Sequence, residues 1–134
     1  MKIVLDEGAI LPTRAHPYDA GLDLYARAGG VVYGYATFDT GVHVEIPEGC
    51  VGLIKSKSGL MVKHNITADG TIDAHYTGSI HVKLFNHSDS AYKVLAGDKI
   101  AQLVIVPCLL PELELVDSLE ETDRGIAGFG STGR

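Results

Sequence analysis

Short apolar segments that alternate with polar residues, and that end at glycine or proline turns, place the strongest constraint on the fold of this chain. Val42 and Val44 alternate with polar neighbours and are followed by a Pro47-Glu48-Gly49 turn. Successive side chains of a β-strand point to opposite faces of a sheet, so this alternation is typical of a strand with one buried face. Residues 20–26 and 80–84 show the same pattern. The pattern predicts an all-β sandwich, jelly roll or barrel.

Length and charge narrow the class of protein. The chain has 134 residues, 46% of them hydrophobic, and a formal net charge of −6. This length suits one domain with an ordinary core. The negative charge argues against non-specific nucleic-acid binding, because there is no basic surplus to neutralise phosphates. We therefore expect no nucleic-acid partner.

The N-terminal segment and the cysteines favour a cytoplasmic location. Residues 1–11 carry Asp6 and Glu7 within a short apolar run, which fits neither a signal peptide nor a membrane span. Cys50 and Cys108 lie far apart in the sequence and form no C-x-x-C pair. We expect both to be buried, reduced thiols in a protein with no membrane partner.

Residues 70–80 predict a tight β-hairpin that carries one acid and one tyrosine. Gly70 opens the stretch, Asp73 and Tyr76 follow, and Gly78 leads into the alternating strand at residues 80–84. Such a turn could present a carboxylate and free main-chain groups to a planar ring. The alternative for Asp73 is a turn acid that caps its own loop.

One segment breaks the strand pattern. Ser58 is a suitable N-cap and Asn65 a suitable left-handed stop, so the residues between them predict a single short helix. The N-terminus of this helix would present free N–H groups beside Lys57, a combination that suits phosphate. The alternative is an ordinary capped turn with a surface lysine.

Residues 100–106 form an apolar run that predicts a strand buried on both faces. Gln102 is its one polar member. A buried amide needs hydrogen-bond partners, so Gln102 is either a structural hydrogen-bonder or a ligand contact. We expect Leu113 and Leu115 to close the core.

The composition changes after Asp117. Residues 117–123 are acidic, and residues 124–134 are rich in glycine. Glycine-rich backbone loses more freedom on ordering than other backbone, so we expect this segment to be mobile without ligand. The chain is thus divided into a core, residues 1–117, and a C-terminal arm, residues 118–134. The arginine, hydroxyls and backbone N–H groups of the arm suit a terminal phosphate, and Phe129 suits a base.

Five stretches, in this order, resemble the five motifs of trimeric dUTP diphosphatases (dUTPases). They are Ala20-Gly21-Leu22-Asp23-Leu24-Tyr25-Ala26, Lys57-Ser58-Gly59-Leu60, Gly70-Thr71-Ile72-Asp73 with Tyr76 and Gly78, Gly97-Asp98-Lys99-Ile100-Ala101-Gln102-Leu103, and Arg124-Gly125 with Gly128-Phe129-Gly130-Ser131-Thr132-Gly133. The set spans residues 20–133. Any one motif is weak evidence, whereas five in order and correctly spaced are specific.

The resemblance implies a jelly-roll or distorted β-barrel homotrimer with one short helix and an arm that closes over the active site. The family shares each site among three subunits: the first, second and fourth motifs come from one, the third from another and the arm from the third. The implied reaction converts Mg-dUTP and water to dUMP and pyrophosphate. It supplies dUMP and keeps uracil out of DNA.

The resemblance also implies roles for the third motif. Asp73 would orient and activate the water that attacks the α-phosphorus, and it would meet the deoxyribose 3′-hydroxyl. Tyr76 would pack under the sugar, where a 2′-hydroxyl would collide. Main-chain groups of Gly70, Thr71 and Ile72 would read the uracil edge, since a hairpin can present the donors and acceptors complementary to it.

The other motifs are implied to hold phosphates, metal and base. Asp23 would face waters of a Mg²⁺ ion that the triphosphate chelates, and magnesium characteristically keeps such waters. The implied phosphate ligands are Lys57, Ser58, Gly59 and Gln102 in the core, and Arg124, Ser131 and Thr132 in the arm. Phe129 would cover the uracil, next to Gly130. Thr67 and His81 complete the predicted substrate-binding residues.

Several positions depart from the commonest pattern of the family. Lys57 stands where arginine is frequent and loses the bidentate fork of a guanidinium. Thr67 stands where an asparagine often contacts the base, and His81 where lysine is common. Ile126-Ala127 replaces a more usual pair in the arm. None removes a group that the implied reaction requires, so we expect affinity rather than activity to differ.

Two other functions are compatible with the same fold. A deoxycytidine-triphosphate deaminase would lack the glycine-rich arm and would use a glutamate as its base. A dUTPase-like regulatory protein would bind a protein partner. The presence of Asp73 and of the whole arm argues against a purely regulatory role.

Overall fold

The computed structural model describes residues 1–128, which form ten β-strands and one short α-helix. In chain order the elements are β1 (Ile3–Leu5), β2 (Gly21–Tyr25), β3 (Gly30–Val32), β4 (Tyr35–Asp39), β5 (Val42–Val44), β6 (Cys50–Ser56), α1 (Ser58–His64), β7 (Ile66–Ile72), β8 (His81–Asn86), β9 (Tyr92–Val94) and β10 (Lys99–Pro107). The prediction of an all-β fold with a single short helix is confirmed. Within residues 1–128, no helix is long and apolar enough to cross a membrane.

The main sheet has six antiparallel strands in the order β2-β10-β6-β7-β8-β4, and it curls into a half-barrel. Two smaller sheets pair β1 with β5 and β3 with β9. The order brings the three strands β2, β10 and β6 side by side, although β10 follows the other two by many residues. β2 carries Asp23, and β10 carries Lys99 and Gln102.

The core follows the predicted alternation. Ile80, Val82 and Leu84 are wholly buried, while the intervening side chains of β8 face outward. Burying each of these aliphatic side chains contributes about 1.5–3 kcal/mol relative to leaving it exposed. β10 is wrongly predicted in its second half: residues up to Leu103 are mostly buried, but residues 104–106 are only half-buried.

The N-cap of the helix lies one residue earlier than predicted. Lys57, with φ −75° and ψ 124°, occupies the N-cap position, and its side chain makes no capping hydrogen bond. Ser58 is the first helical residue, so its assignment as N-cap is wrong. Asn65 is confirmed as the left-handed stop: its φ is 55°, and its backbone N–H donates to the carbonyl of Met61.

The segment after β10 does not close the core. Leu113 and Leu115 are 98% and 100% exposed, so their predicted burial is wrong. Their hydrophobicity is real, but no surface among residues 1–128 covers them. Cys50 and Cys108 are free thiols, as predicted, but both are half-buried rather than buried.

Candidate functional site

β7 changes its partner strand half-way along its length. Ile66, Thr67 and Ala68 pair with β8, whereas residues 69–72 pair with β6. In an antiparallel strand the N–H and C=O of one residue point to the same side. Within residues 69–72, the main-chain groups directed away from β6 therefore have no strand partner in the described part of the chain. These groups form an open main-chain edge, which can hydrogen-bond to a planar ligand.

The predicted tight hairpin is wrong in its form. Strands β7 and β8 are joined by an eight-residue loop, residues 73–80, which we call the Asp73 loop. Its far end lies against β5, because the N–H of Ile80 donates to the carbonyl of Val42 at 2.8 Å. Since β8 departs toward β4 at this point, the strands separate instead of closing a tight turn.

Asp73 is exposed at the start of this loop. Its carbonyl accepts a hydrogen bond from the N–H of Tyr76 at 3.2 Å. Its carboxylate makes no hydrogen bond or ion pair with any other residue of the first 128, so it does not cap its own loop. A carboxylate in this situation can accept a proton or a hydrogen bond from a ligand.

Tyr76 folds back over its own loop. Its hydroxyl donates to the carbonyl of Ser79 at 3.1 Å, and its side chain is 46% exposed. A methyl group at Gly78 would lie 2.5 Å from Cζ of this ring, so only glycine allows the ring to take this position. The ring therefore presents a fixed flat surface three residues from Asp73.

Asp23 lies between two lysines on the other part of the candidate site. It is 4% exposed on β2; Lys57 Nζ lies 2.5 Å from its Oδ1, and Lys99 Nζ lies 2.8 Å from its Oδ2. Burial by itself raises the pKa of Asp23, but the hydrogen bonds and charges of the two lysines outweigh it, and the pKa is lowered. The same pairing raises the pKa of Lys99. The group is thus an ionised carboxylate flanked by two ammonium ions.

Gln102 completes this group from β10. Its position opposite Asp23 follows from the β2–β10 register. The side-chain Nε2 donates to the carbonyl of Ser56 at 3.1 Å, which joins the end of β6 to the group. Gln102 is therefore a structural hydrogen-bonder in this state. We call Asp23, Lys57, Ser58, Gly59, Lys99 and Gln102 the phosphate cluster.

Ser58 and Gly59 are exposed in the first turn of α1, directly after Lys57. The first N–H groups of a helix have no partner within the helix and carry partial positive charge. Two ammonium groups and these N–H groups together form a surface suited to anionic oxygens.

The remaining predicted residues make contacts outside the phosphate cluster, and His81 borders the Asp73 loop. Thr67 Oγ1 lies 2.7 Å from His87 Nε2, and His81 Nδ1 lies 3.0 Å from the carbonyl of Ser79. Arg124 Nε donates to the carbonyl of Ala127 within a turn. Phe129, Gly130, Ser131 and Thr132 lie outside the described residues.

The sequence prediction assigned no role to Lys99. It stands in the fourth motif-like stretch, next to the turn at Gly97, and only the position of β10 beside β2 brings it to Asp23. Its charge within that stretch was the available signal, but charge alone does not reveal the partner.

The structure does not bring Asp73 to the phosphate cluster within one chain. Ile72 pairs with Gly52, and Lys57 follows the opposite end of β6. At a rise of about 3.4 Å per residue, the five residues from Gly52 to Lys57 separate the two groups by roughly 17 Å along the sheet. The candidate site is therefore made of two separate parts.

Comparison with known proteins gives a consistent result. A family model described as dUTPase matches residues 7–133. A probable deoxyuridine 5′-triphosphate nucleotidohydrolase of Schizosaccharomyces pombe is 46% identical, covering 96% of this chain and 94% of the relative. The deoxyuridine 5′-triphosphate nucleotidohydrolase of Arabidopsis thaliana is also 46% identical, covering 96% of this chain and 80% of its own.

Solved structures are similar over almost the whole chain. A mutant dUTPase of Staphylococcus bacteriophage 80alpha with dUpNHpp has a TM-score of 0.91 and 33% identity, covering 99% of this chain and 98% of that one. A mutant dUTPase from phage phi11 of S. aureus, described with a structural Mg(II) ion, has a TM-score of 0.82 and 33% identity, covering 90% and 98%.

Proposed function

The chain belongs to the dUTPase family, and on that premise we propose that it hydrolyses dUTP to dUMP and pyrophosphate at sites shared between subunits. The single observation that carries the proposal is the division of the site. The open edge of β7 with Asp73 suits a nucleoside, and the phosphate cluster suits a triphosphate, yet Asp73 lies roughly 17 Å along the sheet from the cluster in one chain. We infer that a second chain supplies one part.

Asp73 acts as the base that orients and deprotonates the attacking water. Its exposed carboxylate has no partner among residues 1–128, so it can accept the proton of a water placed against the α-phosphorus. Water then attacks phosphorus, the bond to the bridging oxygen breaks, and pyrophosphate leaves. No side-chain nucleophile is required.

The open main-chain edge of residues 69–72 provides the selectivity for uracil. Uracil presents acceptor, donor and acceptor along its edge, and main-chain N–H and C=O groups can complement this order. Cytosine would place an amino group against an N–H, leaving both donors without an acceptor. The ring of Tyr76 supports the sugar in this proposal and excludes a 2′-hydroxyl.

The phosphate cluster holds the triphosphate and the metal that accompanies it. Lys57, Lys99 and the first N–H groups of α1 attract the phosphate oxygens. Asp23, with its lowered pKa, is an ionised carboxylate that fits hydrogen bonding to metal-bound water. A Mg²⁺ ion bound to the triphosphate would neutralise its charge and polarise the α-phosphoryl group.

The assembly we propose is a homotrimer with three sites. The arm, residues 118–134, crosses to a neighbouring subunit, where Arg124, Ser131 and Thr132 hold the γ-phosphate and Phe129 covers the base. Exposed leucines along residues 109–119 support this proposal, because a segment this apolar gains by packing against another chain. A cytoplasmic location remains a prediction.

A screen of deoxynucleoside triphosphates and UTP, each with Mg²⁺, tests the function. We expect pyrophosphate release from dUTP and little from dCTP, dTTP or UTP. Ammonia release from dCTP would instead identify a deaminase. A protein that binds dUpNHpp but releases no pyrophosphate from dUTP would be a regulatory relative and not an enzyme.

A further inference from the structure

The Asp73 loop is held to the body of the domain by a closed ring of polar contacts. Arg27 Nη1 lies 3.0 Å from Asp6 Oδ2 and 3.1 Å from Asp39 Oδ2. From Asp39 the ring reaches the loop through the hydroxyl of Ser79, which donates to Oδ1. From Asp6 it reaches the loop through His43. We call Asp6, Arg27, Asp39, His43, Thr77 and Ser79 the anchoring ring.

His43 is the link of this ring whose charge can change near neutral pH. Its Nδ1 lies 2.8 Å from the carbonyl of Thr77, and its Nε2 lies 3.2 Å from Asp6 Oδ1. A carbonyl and a carboxylate both only accept hydrogen bonds. Both contacts are therefore favourable only when both ring nitrogens carry a proton.

Neutral histidine cannot satisfy both partners. With the proton on Nδ1, the ring keeps Thr77 and turns a lone pair toward Asp6; with the proton on Nε2, the reverse holds. In either neutral tautomer, the unprotonated ring nitrogen faces an oxygen that can also only accept a hydrogen bond. The geometry thus links the charge of His43 to the attachment of the loop.

Charged residues from several neighbouring segments surround His43. Asp6 follows β1, Asp39 ends β4, and Arg27 binds both carboxylates. The groove beside the ring also contains Lys2 near the N-terminus, Glu45 directly after β5 and His75 of the loop. The hydrogen bond to Thr77 is the largest effect on the pKa of His43 and raises it, while burial, the next largest, lowers it. The hydrogen bond and charge of Asp6 and the charge of Asp39 add to the rise, so the pKa is raised overall.

We propose that His43 is a positioning residue for the catalytic loop, and that its imidazolium form holds the loop carrying Asp73 in place. The proposal rests on the proposed function for its catalytic consequence. Thr77 is four residues from Asp73. The loop is also attached at Ile72 on β6 and at Ser79 and Ile80 on β4 and β5. In its middle, Ala74 packs against the core, and His75 Nε2 lies 3.8 Å from Glu48 Oε1 in a highly exposed pair. Without the contact to Thr77, residues 76–78 lose their hydrogen bond to the body of the domain.

The direction of the pH effect follows from the raised pKa. The folded protein holds the His43 proton more tightly than the unfolded chain, so this stabilisation is complete below the ordinary pKa of about 6.5 and is lost as pH rises through the folded value. The loop should accordingly loosen as pH rises through the folded pKa of His43.

Measurements on the ligand-free protein test the anchoring without any assay of activity. NMR titration should give His43 a pKa above 6.5, and Asp6→Asn should lower it. Hydrogen exchange should show the Tyr76 amide losing protection, corrected for intrinsic exchange, as pH rises from 6 to 9. In His43→Asn, whose amide can still donate to Thr77, that protection should not change with pH.

Kinetics test the catalytic consequence. At each pH, the kcat/KM of wild type is divided by that of His43→Asn. The effects of ionisations that the two proteins share then cancel. We expect this ratio to fall by about fivefold between pH 6 and 9, through kcat more than KM, because a displaced base is what slows the reaction. His43→Ala, which loses both contacts, should be slower at every pH. His16→Asn, an exposed loop histidine, should give a flat ratio.

A His43 pKa at or below 6.5 would overturn the anchoring. So would protection of the Tyr76 amide that does not decrease as His43 loses its proton. A flat ratio with a titrating His43 would overturn the catalytic role. Wild-type protein inactive on dUTP would refute the proposed function instead, and NMR and exchange would still decide the anchoring.

Discussion

Gly21 on β2 lies against the side chain of Gln102 on β10. A methyl group at Gly21 would lie 2.9 Å from Gln102 Cδ and nearer still to Oε1. The absence of a side chain at Gly21 thus makes the space in which the Gln102 amide reaches the Ser56 carbonyl. The glycine of the first motif-like stretch and the glutamine of the fourth form one packing unit.

Gly21→Ala should push Gln102 out of the phosphate cluster. Overpacking of this kind typically costs about 1–3 kcal/mol. We expect lower stability and a raised KM for dUTP. A double-mutant cycle measures the coupling: in the Gln102→Ala background, Gly21→Ala should cost much less. Equal costs in both backgrounds would show that the glycine serves some other purpose.

Asp23→Asn should reduce stability in a pH-dependent way. The folded pKa of Asp23 is lowered, so its contribution is present above the ordinary value near 3.8 and is lost as pH falls through the folded value. Losing the charged hydrogen bond to Lys57 and weakening the ion pair with Lys99 should cost about 1.5–3 kcal/mol at pH 7. Urea unfolding should show that the difference in unfolding free energy between wild type and Asp23→Asn becomes smaller below pH 4. Asp69→Asn, which removes an exposed pair with Lys55, is the control and should change little.

Asp73→Asn should abolish turnover while leaving dUpNHpp affinity within a few-fold. The amide keeps the size of the carboxylate but cannot take the proton of water, so kcat should fall by at least about 100-fold. Single-turnover pyrophosphate release and calorimetric titration separate the two quantities. Asp69→Asn, four residues earlier on β7, should be nearly as active as wild type. A near-normal rate in Asp73→Asn would remove Asp73 from the catalytic role.

Tyr76→Ala should narrow the preference for dUTP over UTP. The ring wall excludes the 2′-hydroxyl, so its removal should raise relative kcat/KM for UTP by about tenfold. Tyr76→Phe keeps the ring, loses only the hydrogen bond to Ser79, and should retain the preference. If both variants discriminate as wild type does, the sugar lies elsewhere.

Mixing two inactive proteins should restore activity if sites are shared. One protein is Asp73→Asn, and the other ends after Asp123 and lacks the rest of the arm. When the two are unfolded and refolded together in equal amounts, about a quarter of the sites in a symmetric homotrimer should combine an intact Asp73 with an intact arm. Demonstrated subunit exchange without recovery of activity would refute the shared site.

The sequence by itself determined the features that depend on near neighbours. The alternation around Val42 and along residues 80–84 predicted strands, because side chains of a strand alternate regardless of its partners. Asn65 was predictable as the helix stop because few residues other than glycine adopt a left-handed backbone cheaply. The motif-like stretches carried the family, since their residue types and order are local properties.

Only the tertiary structure decided which of these segments meet. The strand order places Lys99 beside Asp23, separates Asp73 from Lys57, and divides β7 between two partners, so that one main-chain edge is left open. His43 joins Asp6 to Thr77 across three distant segments. Leu113 and Leu115 are exposed although their hydrophobicity predicted burial. Hydrophobicity predicts that a side chain gains by burial, but it does not specify the surface that covers it. Strand pairing and ion pairing are long-range choices, and local periodicity carries no information about them.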